Sequence, residues 1–158
     1  MVTNNVGVTF QVQCKFTMNR DKQGNVVSMT SSVEAAFGSR IMSAGMFLNN
    51  QLTDFSFLPE ADGKLVANSV APGKRPRSSM TPVIIFNQDG SFFAAIGSPG
   101  GPKIISYVAQ SVSALLDYKL TMQEAINLPR HVTTGKTLEL EADTALTKLK
   151  PKLEAMGH

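Results

Sequence analysis

A change of hydrophobic period constrains this sequence most, and it falls at Gly97-Ser98-Pro99-Gly100-Gly101. Before that segment, from Val2 onward, apolar residues come in short runs separated by turn residues. Residues 26–33 alternate around small and hydroxylated side chains after the turn Gln23-Gly24-Asn25. Two apolar runs, Val83–Phe86 and Phe92–Ile96, flank Asn87-Gln88-Asp89-Gly90, which predicts a hairpin. Residues 59–82 are rich in Pro, Gly, Ser and Asn and read as a long surface loop, a kind usually functional or disordered. After the glycines the period lengthens. Ile104, Ile105, Val108, Val112, Leu115 and Leu116 repeat at helical spacing, predicting an amphipathic helix over about residues 102–118. Thr121 and Glu124 make a capping box for a second helix that Pro129 stops. Leu138–Leu140 reads as a short strand, and Asp143 as the cap of a last helix reaching Gly157. Strands followed by helices, with hairpin connections, predict an α+β fold with an antiparallel sheet.

Composition narrows the class further. A chain of 158 residues, 42% hydrophobic and 17% charged, suits one globular domain with an ordinary core. The low charge suits a subunit that hides surface against a partner. The net charge is +3 and the basic residues are spread along the chain, so composition makes no case for a nucleic-acid partner. The single cysteine, Cys14, rules out an internal disulfide. No run of about 18 apolar residues is present, which argues against a transmembrane helix. Residues 1–10 show no basic-then-apolar pattern of an export signal.

Three constellations carry possible chemistry. In Gly97-Ser98-Pro99-Gly100-Gly101, two adjacent glycines lead into a helix, so backbone N–H groups can approach a ligand closely. The helix dipole adds positive potential there, a place to stabilise an oxyanion; a plain strand-to-helix turn would also use these glycines. In Gly73-Lys74-Arg75-Pro76-Arg77-Ser78-Ser79-Met80, basic residues beside paired serines suit a carboxylate or phosphate, or else a solvated loop. In Leu48-Asn49-Asn50-Gln51-Leu52-Thr53-Asp54-Phe55, an Asp and an amide between apolar residues could grip an amino group. The same residues could instead form a turn that bonds its own backbone. His131 and His158 are isolated, and no Cys/His cluster has metal-ligand spacing. Phosphate-loop and dinucleotide fingerprints are absent, and no cofactor is expected.

Taken in order, these segments resemble the small subunit of γ-glutamyltransferases. The resemblance rests on residues 24–32, Phe37-Gly38, Leu48-Asn49-Asn50-Gln51, Asp54-Phe55 and Pro72-Gly73-Lys74-Arg75-Pro76. It extends through Ser78-Ser79-Met80, Gly97-Ser98-Pro99-Gly100-Gly101 and Gln123-Glu124-Ala125-Ile126-Asn127-Leu128-Pro129-Arg130. Residues 21–158 are thus expected to form the family-like domain, and residues 1–20 a divergent segment. The resemblance implies an N-terminal nucleophile hydrolase fold, this chain being the small-subunit half of an αββα sandwich. It implies γ-glutamyl transfer from glutathione and related compounds to water, amino acids or peptides, through a γ-glutamyl-enzyme intermediate. It also implies a large subunit cut from the same precursor, and points to the bacterial periplasm or secretion.

Site roles follow from the same resemblance. Gly100 and Gly101 would form the oxyanion hole, and Gln51 and Asp54 would hold the substrate α-amino group. Ser78 and Ser79 would hold its α-carboxylate. Glu34 falls where the family usually has an Asn that contacts substrate, and Ser32 where a hydroxyl supports the nucleophile. The family's small subunit begins with Thr-Thr-His or a close variant. Counting back without a gap reaches Cys14-Lys15-Phe16 instead. Two explanations follow: a truncated or frame-disturbed, inactive copy or non-catalytic binding subunit, which is the expectation, or a homologue in which Cys14 is the nucleophile.

Overall fold

The computed structural model describes residues 15–135 and 137–158, so Cys14 lies outside the described residues. In chain order the strands begin with β1 (Lys15–Arg20), β2 (Val26–Ser31), β3 (Met42–Ser43), β4 (Met46–Phe47), β5 (Glu60–Ala61) and β6 (Lys64–Leu65). They continue with β7 (Val83–Phe86) and β8 (Phe92–Ile96). The helices α1 (Ile104–Leu116) and α2 (Met122–Asn127) follow, then β9 (His131–Thr133), β10 (Leu138–Leu140) and α3 (Lys150–Ala155). Short 3-10 turns lie at Gln51–Asp54, Gly101–Lys103 and Ala145–Leu149. The class is α+β. None of the described helices is long and apolar enough to cross a membrane.

The chain divides into two compact units, residues 31–77 forming most of one, and residues 16–30 with 78–158 forming the other. The second unit holds most of the core. Its β7–β8 hairpin pairs antiparallel, Val83 opposite Ile96 and Ile85 opposite Ala94, with a register shift at Ile85/Phe86. The turn closes through Gly90 N–H to the Asn87 carbonyl at 2.9 Å, with Gly90 in the left-handed region that glycine tolerates. β1 pairs with β2 across a turn in which Asp21 accepts the Asn25 N–H at 2.8 Å. The Ser28 hydroxyl reaches the Val83 carbonyl at 3.2 Å.

α1 supplies the main buried stripe: Ile104, Val108, Ser111, Ala114 and Leu115 recur on one helical face. They pack with Ala94 and Ile96 of β8, Ala125 of α2 and Val132 of β9. Ser111 is buried at no cost in unpaired polarity, because its hydroxyl donates to the Tyr107 carbonyl at 3.0 Å. α2 starts on the predicted capping box: Thr121 accepts from Glu124 N–H, and the Glu124 carboxylate accepts from Thr121 N–H. The Thr121 hydroxyl, which also donates to the Glu124 carboxylate at 2.7 Å, and then the Thr121 N–H hold that carboxyl below its ordinary pKa. The far end of α2 is closed by Arg130, whose guanidinium donates to the carbonyls of Ala125 at 2.9 Å, Ile126 at 3.1 Å and Tyr107 at 3.4 Å.

Two local expectations change, and one strand is additional. The last helical segment is capped by Thr144, whose hydroxyl accepts the Leu146 N–H, whereas Asp143 takes a left-handed conformation just before it. The additional strand is β9, in which His131 pairs opposite Leu140 of β10. Residues 59–82 are not wholly irregular, since β5 and β6 form a small hairpin within them.

In the first unit, β3 and β4 form a two-residue ladder, and Phe37 meets Phe47 edge-on at 5.3 Å. Gly38 is buried so closely under Leu48 that a Cβ would lie 2.1 Å from the Leu48 carbonyl oxygen. Only glycine fits there. Phe55 is the buried apolar anchor beside the Gln51–Asp54 turn.

Candidate active site

The eight described residues singled out by sequence fall four to each unit. Ser32, Glu34, Gln51 and Asp54 belong to the first; Ser78, Ser79, Gly100 and Gly101 belong to the second.

In the first unit the chain leaves β2 into a loop where Glu34, Phe37 and Arg40 all take positive φ (71°, 64° and 62°). Such conformations cost a non-glycine residue energy, so the loop needs bonds that fix it. Ser32 accepts the Glu34 N–H at 2.8 Å. Asn50 accepts the Ala35 N–H at 3.0 Å and donates to the Glu34 carboxylate at 2.8 Å. The Gln51 amide donates to the Ser32 carbonyl at 3.3 Å. Asp54, at the end of the same 3-10 turn, uses its carbonyl to accept from Asn68 at 2.7 Å. No hydrogen-bond donor among the described residues reaches its carboxylate. Burial pushes the Asp54 carboxyl above its ordinary pKa, the Glu34 charge pushes it further, and Arg77 partly opposes them. Two carboxylates and an amide in one partly buried cluster make a place for an ammonium group, which would relieve the repulsion between them.

In the second unit the Ser79 hydroxyl donates to the Gly101 carbonyl at 2.6 Å, tying the serine pair to the double glycine. Ser78 lies beside it and accepts the Met80 N–H at 3.2 Å. Gly100 has φ 139° and Gly101 φ 55°, and the Lys103 N–H returns to the Gly100 carbonyl at 3.1 Å to start the turn into α1. Among the described residues, neither the Gly100 nor the Gly101 N–H meets a protein acceptor. A Cβ at Gly100 would lie 3.0 Å from the Tyr107 ring. Adjacent free N–H groups where a chain enters a helix are suited to an anionic oxygen.

The basic loop behaves differently from one reading of its composition. The Lys74 ammonium is spent on its own backbone, donating to the Ala67 carbonyl at 2.6 Å and the Ser69 carbonyl at 2.8 Å. Its charge staples the loop. Sequence reasoning grouped Asn50 with Gln51 and Asp54, but nothing in the sequence ties Asn50 to Glu34, sixteen positions away.

Comparison with known proteins gives matches in both sequence and fold. The family model described as Gamma-glutamyltranspeptidase matches residues 15–158. The glutathione hydrolase proenzyme of Escherichia coli (strain K12) is 42% identical over 147 residues, covering 87% of this chain and 25% of its own length. That of Bacillus subtilis subsp. natto is 41% identical over 140 residues, covering 87% of this chain and 23% of its own. The chain therefore spans about a quarter of the length of these curated relatives. Among solved structures, the Helicobacter pylori gamma-glutamyltranspeptidase T380A mutant superposes with TM-score 0.79 at 34% identity, covering 90% of this chain and 81% of that one. The fold is accordingly part of the αββα sandwich of the N-terminal nucleophile hydrolases. By these matches, the chain belongs to the gamma-glutamyltranspeptidase family.

Proposed function

We propose that this chain is the small-subunit part of an enzyme that moves γ-glutamyl groups from glutathione and related compounds to water, amino acids or peptides. The observation that carries the reading is the Gly100–Gly101 pair, whose N–H groups meet no acceptor among the described residues and whose loop is tied to Ser79. Acyl transfer needs such donors, because a carbonyl under attack gathers negative charge on its oxygen. In this reading Gln51 and Asp54 hold the donor's α-ammonium, with Glu34 beside them, and Ser78 and Ser79 hold its α-carboxylate. A nucleophile adds to the γ-carbonyl carbon, the C–N bond breaks, and the amine leaves with a proton. Water or an acceptor amine then cleaves the acyl-enzyme and takes the γ-glutamyl group. Ser32 supports the nucleophile, and a large subunit of the same precursor completes the site.

A second reading is favoured by one observation: Cys14-Lys15-Phe16 stands where the family resemblance expects Thr-Thr-His. In it the chain keeps the ligand-binding groups but performs no turnover. Two measurements decide between them. Binding of L-glutamate in preference to glutarate, which lacks the amino group, supports a γ-glutamyl site; equal binding sinks both readings. Release of nitroaniline from γ-glutamyl-p-nitroanilide, abolished by Cys14→Ala, supports the first reading with Cys14 as nucleophile. Preferential binding without turnover supports the second.

A further inference from the structure

We infer that Asn50 is a positioning residue that fixes the Glu34 carboxylate beside Gln51 and Asp54, so that the cluster is set for an ammonium group before one arrives. This rests on the γ-glutamyl reading above and deepens it.

An asparagine that opens a helical turn ordinarily spends its side-chain oxygen on that turn's own N–H groups. Asn50 stands at that position before Gln51–Asp54, yet its side chain makes no such cap bond. Its oxygen accepts from Ala35 N–H at 3.0 Å, and its amide nitrogen donates to Glu34 Oε2 at 2.8 Å and to Thr53 Oγ1 at 3.2 Å. Its own N–H donates to the Val33 carbonyl at 3.2 Å. One residue thus grips the loop at Val33, Glu34 and Ala35 while forming the first corner of the turn that carries Gln51 and Asp54. The grip is needed because Glu34 has φ 71°, a conformation an unheld glutamate abandons readily. The amide bonds both because it carries an acceptor for Ala35 N–H and a donor for the carboxylate on one group. Aspartate lacks the donor, and an aliphatic residue lacks both.

The role runs through Glu34, which separates positioning from general structural support. If Asn50 acts by holding the Glu34 carboxylate, its loss matters only while that carboxylate is present. The test is a nuclear magnetic resonance titration of the full 158-residue chain with L-glutamate and with glutarate, the parent first, then Asn50→Ala, Glu34→Gln and the two together. Asn50→Ala is expected to weaken L-glutamate about ten-fold or more, as befits a lost bond to a charged group, while glutarate is unaffected. In the Glu34→Gln background, Asn50→Ala is expected to change L-glutamate binding by less than about three-fold. Equal weakening of both ligands, no weakening, or the full loss repeated in the Glu34→Gln background overturns the assignment. If Asn50→Ala does not fold, Asn50→Asp, which keeps an acceptor for Ala35 N–H and loses the donor to Glu34, replaces it under the same criteria. A parent that binds L-glutamate no better than glutarate refutes the γ-glutamyl reading itself, and the role of Asn50 with it.

Discussion

Gly97 follows β8 and begins the glycine-rich segment, and its place is set by Phe16 of β1. A Cβ at Gly97 would lie 2.1 Å from Phe16 Cδ2 and 2.6 Å from both Cγ and Cε2, distances that carbon atoms do not tolerate. The ring cannot simply swing away, because β1 is paired with β2 and the ring is partly buried. Gly97→Ala therefore overpacks a fixed contact and should cost about 1–3 kcal/mol. For a chain of this length that lowers the melting temperature by roughly 2–12 °C. Phe16→Ala removes the obstacle at its own cost in lost packing, and in that background Gly97→Ala should be nearly free. Thermal unfolding by circular dichroism of the parent, both single variants and the double variant gives the coupling, expected at about 1–3 kcal/mol in favour of the double variant. Additive effects, or a Gly97→Ala variant that melts with the parent, would refute the contact as the reason for glycine at this position.

Asp54→Asn should stabilise the chain at neutral pH while abolishing the preference for L-glutamate over glutarate. The carboxyl is pushed up by burial and by Glu34, against Arg77, so its ionised form opposes folding. That cost is full above the raised pKa and fades as pH falls through it, so the gain in urea midpoint should shrink toward acid pH; a gain that grows there would refute the assignment. Arg130→Ala should lower stability by about 2–3 kcal/mol, because the Ala125 and Ile126 carbonyls lose the guanidinium at 2.9 and 3.1 Å while the Tyr107 carbonyl keeps Ser111, and an unchanged urea midpoint would refute the closure of α2. Within the first unit Phe57, Leu52, Leu65 and Leu58 are 85%, 77%, 74% and 71% exposed. The chain by itself should therefore self-associate, and sedimentation as a monodisperse monomer would show that this apolar surface needs no cover.

Much of the fold was legible because its causes are local. The capping box of α2 needs only Thr121 and Glu124, three positions apart, and the β7–β8 hairpin needs a turn between two apolar runs. The stripe of α1 is written in the spacing of Ile104, Val108 and Leu115. The glycine pair and the serine pair could also be singled out, although a plain strand-to-helix turn and a solvated basic loop use the same residue types, so it was their order along the chain that made the resemblance. The strand at His131 could not: it is three residues long and exists because β10 offers a partner and the Gln110 side chain bonds both the N–H and the carbonyl of His131.

The sequence by itself determined the order and kind of the main elements, the α+β class, and the residue types available for the candidate site, because these follow from periodicity and short-range chemistry. Tertiary structure decided how those residues are used. It spent the Lys74 charge on two carbonyls of its own loop and tied Ser79 to Gly101 across twenty-two positions. It gave the Asn50 amide to Glu34, and it placed the Phe16 ring over Gly97. A side chain's partner depends on which distant backbone folding brings within about 3 Å, and hydrogen bonds and steric contacts fall off within that distance. Spacing along the chain carries no record of it.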